Sequence, residues 1–176
     1  DRQALSVAII DLDHFKAVND EHGHGVGDAL LTAFGDLLVK QGRKSDVACR
    51  YGGEEFCLLM PRTDAQAARR KLIELLRIWR GTVFRFDGAT LVGQTFSVGV
   101  CDSLAQPQTM TALLKAADDA LLAAKQLGRA RVLSGPGVRA RVALSLDLPI
   151  GTGARADSLA YALISSNELR DEWLLE

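Results

Sequence analysis

Ser6-Val7-Ala8-Ile9-Ile10-Asp11-Leu12-Asp13 decides the fold. Ser6 to Ile10 is a short β-prone apolar run, and it ends in two acids. It predicts a buried strand that delivers carboxylates at its C-terminal end. Asp11 and Asp13 lie two apart, so on an ideal strand they share one side, with Leu12 opposite. Carboxylates that close repel unless a cation or a donor sits between them. A divalent metal with hard oxygen ligands is the natural guest. Two solvated acids at a strand end fit the same residues, so this pair alone does not decide.

The chain around this stretch has 176 residues, 21 Lys plus Arg, 22 Asp plus Glu and a formal charge of −1. A balance that even gives no basic field for gripping nucleic acid. A hydrophobic content of 48% with so little net charge excludes disorder as the state of the whole chain. No apolar run approaches the roughly 20 residues of a membrane crossing. Asp1-Arg2-Gln3 shows no signal-peptide pattern, and the expectation is a cytoplasmic chain, or the cytoplasmic portion of a larger protein, membrane-bound or not, without membrane contact of its own. Cys49, Cys57 and Cys101 are odd in number and lack a C-x-x-C pair. They predict reduced thiols rather than a disulfide framework or a zinc site.

Outward from the first strand, His14 to Gly27 is polar with three glycines and reads as partly loop. Asp28 to Lys40 carries Leu30, Leu31, Phe34, Leu37 and Leu38 at helical spacing, and Gly42 stops it. Val47 to Tyr51, Gly52-Gly53, and Glu55 to Met60 read as strand, turn, strand, with both glycines expected at positive φ. Asp64 to Trp79 is a second amphipathic helix capped by Thr63 or Asp64. Thr82 to Phe86 and Thr90 to Val100 predict more strand, with Gly93 as a bulge. Thr109 caps a third helix that closes at Gly128, and Arg131 to Leu133 forms a last short strand. This order argues α+β, an antiparallel-rich sheet with helices on one face. A boundary falls at Ser134-Gly135-Pro136-Gly137. Beyond it, Arg139 to Leu148 alternates like a strand and Ala156 to Leu169 suits a helix.

A second acidic pair, Glu54-Glu55, follows Gly52-Gly53. A turn tip without side chains lets a phosphate or a second chain come close to the backbone. If Asp11 and Glu54 shared a metal, they would suit phosphoryl or nucleotidyl transfer, where metals clamp the attacking and leaving oxygens. Lys16, Lys125 and Arg129 are cations available to a polyphosphate. Each alone reads as a solvated surface charge, and only their coincidence with the acids raises them.

Arg50-Tyr51-Gly52-Gly53-Glu54-Glu55-Phe56 resembles the signature of the GGDEF family of diguanylate cyclases, in its GGEEF form. Four further stretches agree, in the family's order. They are Ile10 to Asp20, Gly23-His24-Gly25-Val26-Gly27-Asp28, Phe96-Ser97-Val98-Gly99-Val100, and Ala116 to Arg129. The resemblance covers about residues 6 to 133. It implies a nucleotidyl cyclase-like palm: a central, mostly antiparallel sheet with helices packed on its faces. It divides the chain into a domain at 1–134, without the family's usual opening helix, and an extension at 135–176 of unknown role. Leu122 stands where the family often has Tyr, and Ala130 where it often has Asn.

The resemblance further implies condensation of two GTP into cyclic di-GMP plus two pyrophosphates. Asp11, Glu54 and the Leu12 carbonyl match the family's ligands for Mg2+, with Mn2+ as the alternative ion. Asn19 and Asp28 match positions that read guanine, and His24 lies near the nucleotide. Lys16, Lys125 and Arg129 match positions near the triphosphate. Glu54 and Glu55 are both candidates for the group that helps deprotonate the 3′-hydroxyl. Arg43 and Asp46 resemble an R-x-x-D product-inhibition site. The two-fold product asks for a homodimer in which each domain presents one GTP. A regulatory domain in the parent protein is implied as a further partner. The competing expectation is a catalytically weak domain that receives GTP or cyclic di-GMP as a signal.

Overall fold

Alternation along the first strand sorts its side chains onto two helix-covered faces. The computed structural model describes residues 3–86, 88–104 and 109–135. It runs β1 (Leu5–Leu12), α1 (Phe15–His22), α2 (His24–Gln41), β2 (Val47–Arg50), β3 (Glu55–Pro61) and α3 (Ala65–Gly81). Then come β4 (Phe84–Phe86), β5 (Ala89–Leu91), β6 (Phe96–Asp102), α4 (Met110–Gln126) and β7 (Val132–Ser134). The main sheet has the order β2-β3-β1-β6-β7, and β4 with β5 forms a separate hairpin. β1 is central and antiparallel to both neighbours, β2 pairs antiparallel with β3, and only β6 with β7 is parallel.

Ala8, Ile10 and Leu12 face the larger core, which α1, α2 and α3 close with Phe15, Leu30, Phe34, Leu72 and Trp79. Phe34 is its hub, with edge-on contacts to Phe56, Trp79 and Phe96 at centroid distances of 4.9–5.1 Å. Val7, Ile9, Cys57 and Cys101 face the other way, onto Leu113, Ala117 and Leu121 of α4. The sheet is therefore covered on both faces, not on one as element order alone suggests. A period of two gives β1 two apolar sides, and each needs a cover. α4 comes close enough that a Cβ on Gly99 would lie 1.9 Å from the Ala117 carbonyl oxygen. That contact fixes where the last turn of α4 emerges.

Two local expectations give way. His14 to Gly27 is mostly helix, because only Gly23 (φ 87°) breaks it and α2 starts at once on His24. Thr90 to Val100 is not one bulged strand, since Gly93 (φ 65°) divides β5 from β6. The caps hold: Asp64 accepts from the Ala67 N–H and Thr109 from the Ala112 N–H. The strand and helix expected beyond Gly135 lie outside the described residues. Among those described, no helix is long and apolar enough to cross a membrane.

Candidate active site

The C-terminal end of β1 meets the tip of the β2–β3 hairpin. Asp11 pairs in register with Glu55. The Leu12 N–H donates to the Glu54 carbonyl at 3.3 Å, tying the tip to the strand end. Asp11 is 7% exposed and its carboxylate accepts from Lys125 Nζ at 2.6 Å. Burial pushes the Asp11 carboxyl up. Lys125 and Arg129 pull it back and the Asp13 charge adds to the rise, leaving it above the ordinary carboxylate range. Glu54 is raised as well, first by burial, then by the charge of Asp11, with Lys125 opposing and Glu55 adding. Lys125 is thus paired with Asp11 while its charge also reaches Glu54, whose ionised form the Asp11 charge disfavours.

A divalent cation removes that conflict. Among the described residues no group of three or more His, Cys, Asp or Glu side chains converges. The donor set is two carboxylates and the Leu12 carbonyl. It fits Mg2+ or Mn2+, since magnesium is commonly held by one or two carboxylates with waters and substrate phosphates completing the shell.

Gly52 and Gly53 do not adopt positive φ, contrary to the hairpin expectation. The turn is wider than a two-residue loop, and the N–H groups of Tyr51 and Gly52 both donate to the Glu55 carbonyl, at 2.7 and 3.1 Å. Gly52 is needed for space instead, because a Cβ there would lie 2.7 Å from Glu55 Oε2. No atom lies within 4 Å of a Cβ built on Gly53, so its backbone is open to approach. Arg50 clamps the turn, donating from Nε and Nη2 to the Gly53 carbonyl at 2.9 and 2.7 Å and from Nε to Gly52 at 3.2 Å. Sequence reasoning missed this role. The one available signal was a cation immediately before a turn with free carbonyls.

α1 and α2 meet at Gly23 and bring Asn19, Gly27 and Asp28 together. Asn19 Oδ1 is buried without a hydrogen-bond partner. A Cβ on Gly27 would lie 1.9 Å from it. Asp28 follows Gly27 and is exposed, and His24 is exposed at the start of α2. An exposed carboxylate at this position suits a ligand that offers N–H donors. Lys125 leaves the last turn of α4, and Arg129 follows Gly128 in a left-handed conformation (φ 62°). Lys16 is not drawn to the acids. It is exposed and pairs with Asp20 one turn along α1 at 2.7 Å.

Arg43 and Asp46 occupy the opposite end of the hairpin. The Arg43 N–H donates to Asp46 Oδ2 at 3.0 Å and the Asp46 N–H to the Arg43 carbonyl at 2.9 Å, which closes the loop on itself. Lys71 of α3 donates to the same Oδ2 at 2.5 Å, while Oδ1 is buried and unpartnered. The Arg43 side chain is exposed. Lys71 lies 25 residues from Asp46, and nothing local in the sequence announces it.

A family profile described as "Diguanylate cyclase, GGDEF domain" matches residues 1–131. The response regulator PleD of Caulobacter vibrioides is 39% identical over 131 residues, covering 73% of this chain and 29% of PleD. Diguanylate cyclase DgcM of Escherichia coli is 40% identical over 132 residues, covering 75% of this chain and 31% of DgcM. The chain therefore spans about a third of the length of these curated relatives. Among solved structures, the GGDEF domain of DgcB from Caulobacter crescentus, bound to c-di-GMP, matches with a TM-score of 0.70 and 30% identity. That match covers 75% of this chain and 78% of the DgcB chain.

Proposed function

The chain belongs to the diguanylate cyclase GGDEF-domain family, and from that premise we propose that it condenses two GTP into cyclic di-GMP and two pyrophosphates. The observation that carries this reading is the charge conflict between Asp11 and Glu54, with Lys125 as the shared cation at 2.6 Å from Asp11. In each half-reaction a ribose 3′-oxygen bonds to the α-phosphorus of the other GTP. The α–β bridging bond breaks, pyrophosphate leaves with the electron pair, and the 3′-proton is given up.

Asp11, Glu54 and the Leu12 carbonyl would hold Mg2+ or Mn2+. When bound, such an ion supplies electrostatic stabilisation of the phosphoryl oxygens. Lys125 and Arg129 take up triphosphate charge as it shifts toward the leaving group. Asp28 accepts from the N1 and N2 donors of guanine, and the orphan Asn19 Oδ1 accepts beside it. Adenine lacks that donor pair. Glu54 and Glu55 are the two candidate proton acceptors, with Glu55 lying back over Gly52. Lys16 joins the triphosphate only by exchanging its Asp20 partner. Because the product is two-fold symmetric, two copies meet face to face, each presenting one nucleotide. Arg43 and Asp46 form the product site. Control by a further domain of the parent protein would act by permitting or blocking the meeting.

The test is a mass-spectrometric assay of GTP products with magnesium across a range of protein concentrations. The expected result is cyclic di-GMP, at a rate that rises faster than linearly with protein, and no corresponding product from ATP. GTP binding without turnover, including when the segment preceding the first strand in relatives is supplied, would sink the enzyme reading. It would favour a receptor domain.

A further inference from the structure

We infer that Asp13 is a positioning residue: its buried carboxylate holds the turn after α4 in a left-handed path and so sets where Arg129 stands. This rests on the reading of Arg129 as a triphosphate ligand.

Three segments converge on that carboxylate, which belongs to a residue 4% exposed. Oδ1 accepts from Ser97 Oγ at 2.7 Å. Oδ2 accepts from Thr95 Oγ1 at 2.8 Å and from the Ala130 N–H at 3.0 Å. The Asp13 N–H itself donates to the Thr95 carbonyl at 3.0 Å. The two hydroxyls would suffice to satisfy an acid at the end of a sheet. The Ala130 bond is different, because it reaches 117 residues along the chain to a turn outside the sheet.

That turn is one the backbone resists. Gly128, Arg129 and Ala130 all have positive φ, at 105°, 62° and 49°. Only the first lacks a Cβ, and residues with one rarely enter this region consecutively. The path needs anchors on both sides. The Arg129 N–H donates to the Ala124 carbonyl at 3.0 Å, which ends α4, and the Arg131 N–ε donates to the Arg129 carbonyl at 2.9 Å. Asp13 is the anchor between them. Arg131 is half-buried; burial pushes its guanidinium down, and the nearby Asp13 charge opposes that shift. Asp11 and Asp13 thus share one side of a strand end with separate tasks: Asp11 faces the ligand, and Asp13 faces the turn that carries the ligand's cation.

The experiment measures equilibrium binding of GTP and of guanosine to the whole chain, with melting curves alongside. Asp13→Ala should weaken GTP about tenfold and leave guanosine unchanged. Arg129→Ala should do the same, and the double variant should lose no more than either alone. Asp13→Asn should stay close to the unmodified chain. Its amide oxygen can accept from Ala130 and Thr95 while its NH2 donates to Ser97 Oγ. Ala130→Gly, which makes the left-handed path easier, should restore part of the affinity in the Asp13→Ala background. Independent losses in the double variant, or equal loss of guanosine, would overturn the assignment and leave Asp13 a purely structural group. If Asp13→Ala does not fold, Asp13→Glu, which keeps the charge but displaces the carboxylate, is read in the same cycle. If the unmodified chain fails to bind GTP, the functional reading fails. Hydrogen exchange of the Ala130 amide then judges the tie alone: slow exchange supports it, and exchange at the rate of an exposed amide refutes it.

Discussion

Asp11 and Asp46 sit at opposite ends of the β2–β3 hairpin, and the fold treats them in opposite ways. Asp11 has Lys125 at 2.6 Å, but burial, with the Asp13 charge adding to it, pushes its carboxyl up, and it ends above the ordinary carboxylate value. Burial also pushes Asp46 up, yet Lys71 at 2.5 Å and the Arg43 N–H outweigh it, and Asp46 ends below that value. One corner stays short of positive charge even with Lys125 in place. The other is neutralised from within, since Lys71 holds Asp46 Oδ2 and Oδ1 is buried. A short motif singled out in the sequence marks each corner. Their electrostatic states separate a corner whose carboxylates stay raised from one whose carboxylate is held low by its own counter-ion.

The largest effect is expected where the deficit is removed. Glu54→Gln keeps the shape of the turn and relieves repulsion with Asp11. Cyclic di-GMP formation should fall on the order of 10²–10³-fold, as for loss of one preorganised electrostatic group. The melting temperature should hold or rise slightly, because a conflict of like charges has gone. Initial rates and melting curves on the same preparation check both. A stability loss in proportion to the activity loss would mean that Glu54 is a structural acid, and the contrast with Asp46 would disappear.

The sequence disclosed the strand and helix framework because apolar spacing is written locally: Val7 to Leu12, Leu30 to Leu38 and Leu113 to Ala124 each name their own element. It disclosed the motif residues because they stand in short contiguous runs, Ile10 to Asp20, Gly23 to Asp28 and Arg50 to Phe56. It misread His14 to Gly27, where three glycines suggested loop although two of them lie inside α2. It misjudged Gly52, whose reason is the Glu55 carboxylate against it rather than its own backbone angle. It was silent on contacts made across long chain separations, such as Lys71 to Asp46 and Asp13 to Ala130. Pairings of that kind exist only once the sheet order is set.

A smaller effect is expected at the neutralised corner. Lys71→Met leaves a carboxylate whose side chain is 3% exposed without its ammonium. The loss should be about 1–3 kcal/mol near neutral pH, by urea denaturation. The sign of its pH dependence follows from the lowered folded value of Asp46. Stability from such a group is fully present above the unfolded value, about 3.9, and is lost as pH falls through the lower folded value. The gap between the two proteins should therefore be widest above about pH 4 and shrink with acidification below it. A gap independent of pH would show that Lys71 acts through packing of its stem, and that Asp46 is not held by charge.

The smallest effect concerns the hairpin joining the two corners, where Cys49 and Cys57 face each other in register. Cys57 is 4% exposed, and burial together with the neighbouring Cys49 pushes its thiol up to about 11. Cys101 is fully buried and also raised, first by burial and then by the charge of Asp102. Thiolate is the reactive form, so a disulfide-exchange reagent at pH 8 should modify the exposed Cys49 in the folded chain and all three cysteines after denaturation. The comparison then sharpens by one step. Lys71→Met loosens the end of the hairpin that Asp46 closes, so Cys57 should label faster through local opening. Glu54→Gln relieves the other end and should leave that rate unchanged. Equal acceleration in both variants would mean that the hairpin opens as one unit and that its two ends are not held by different forces.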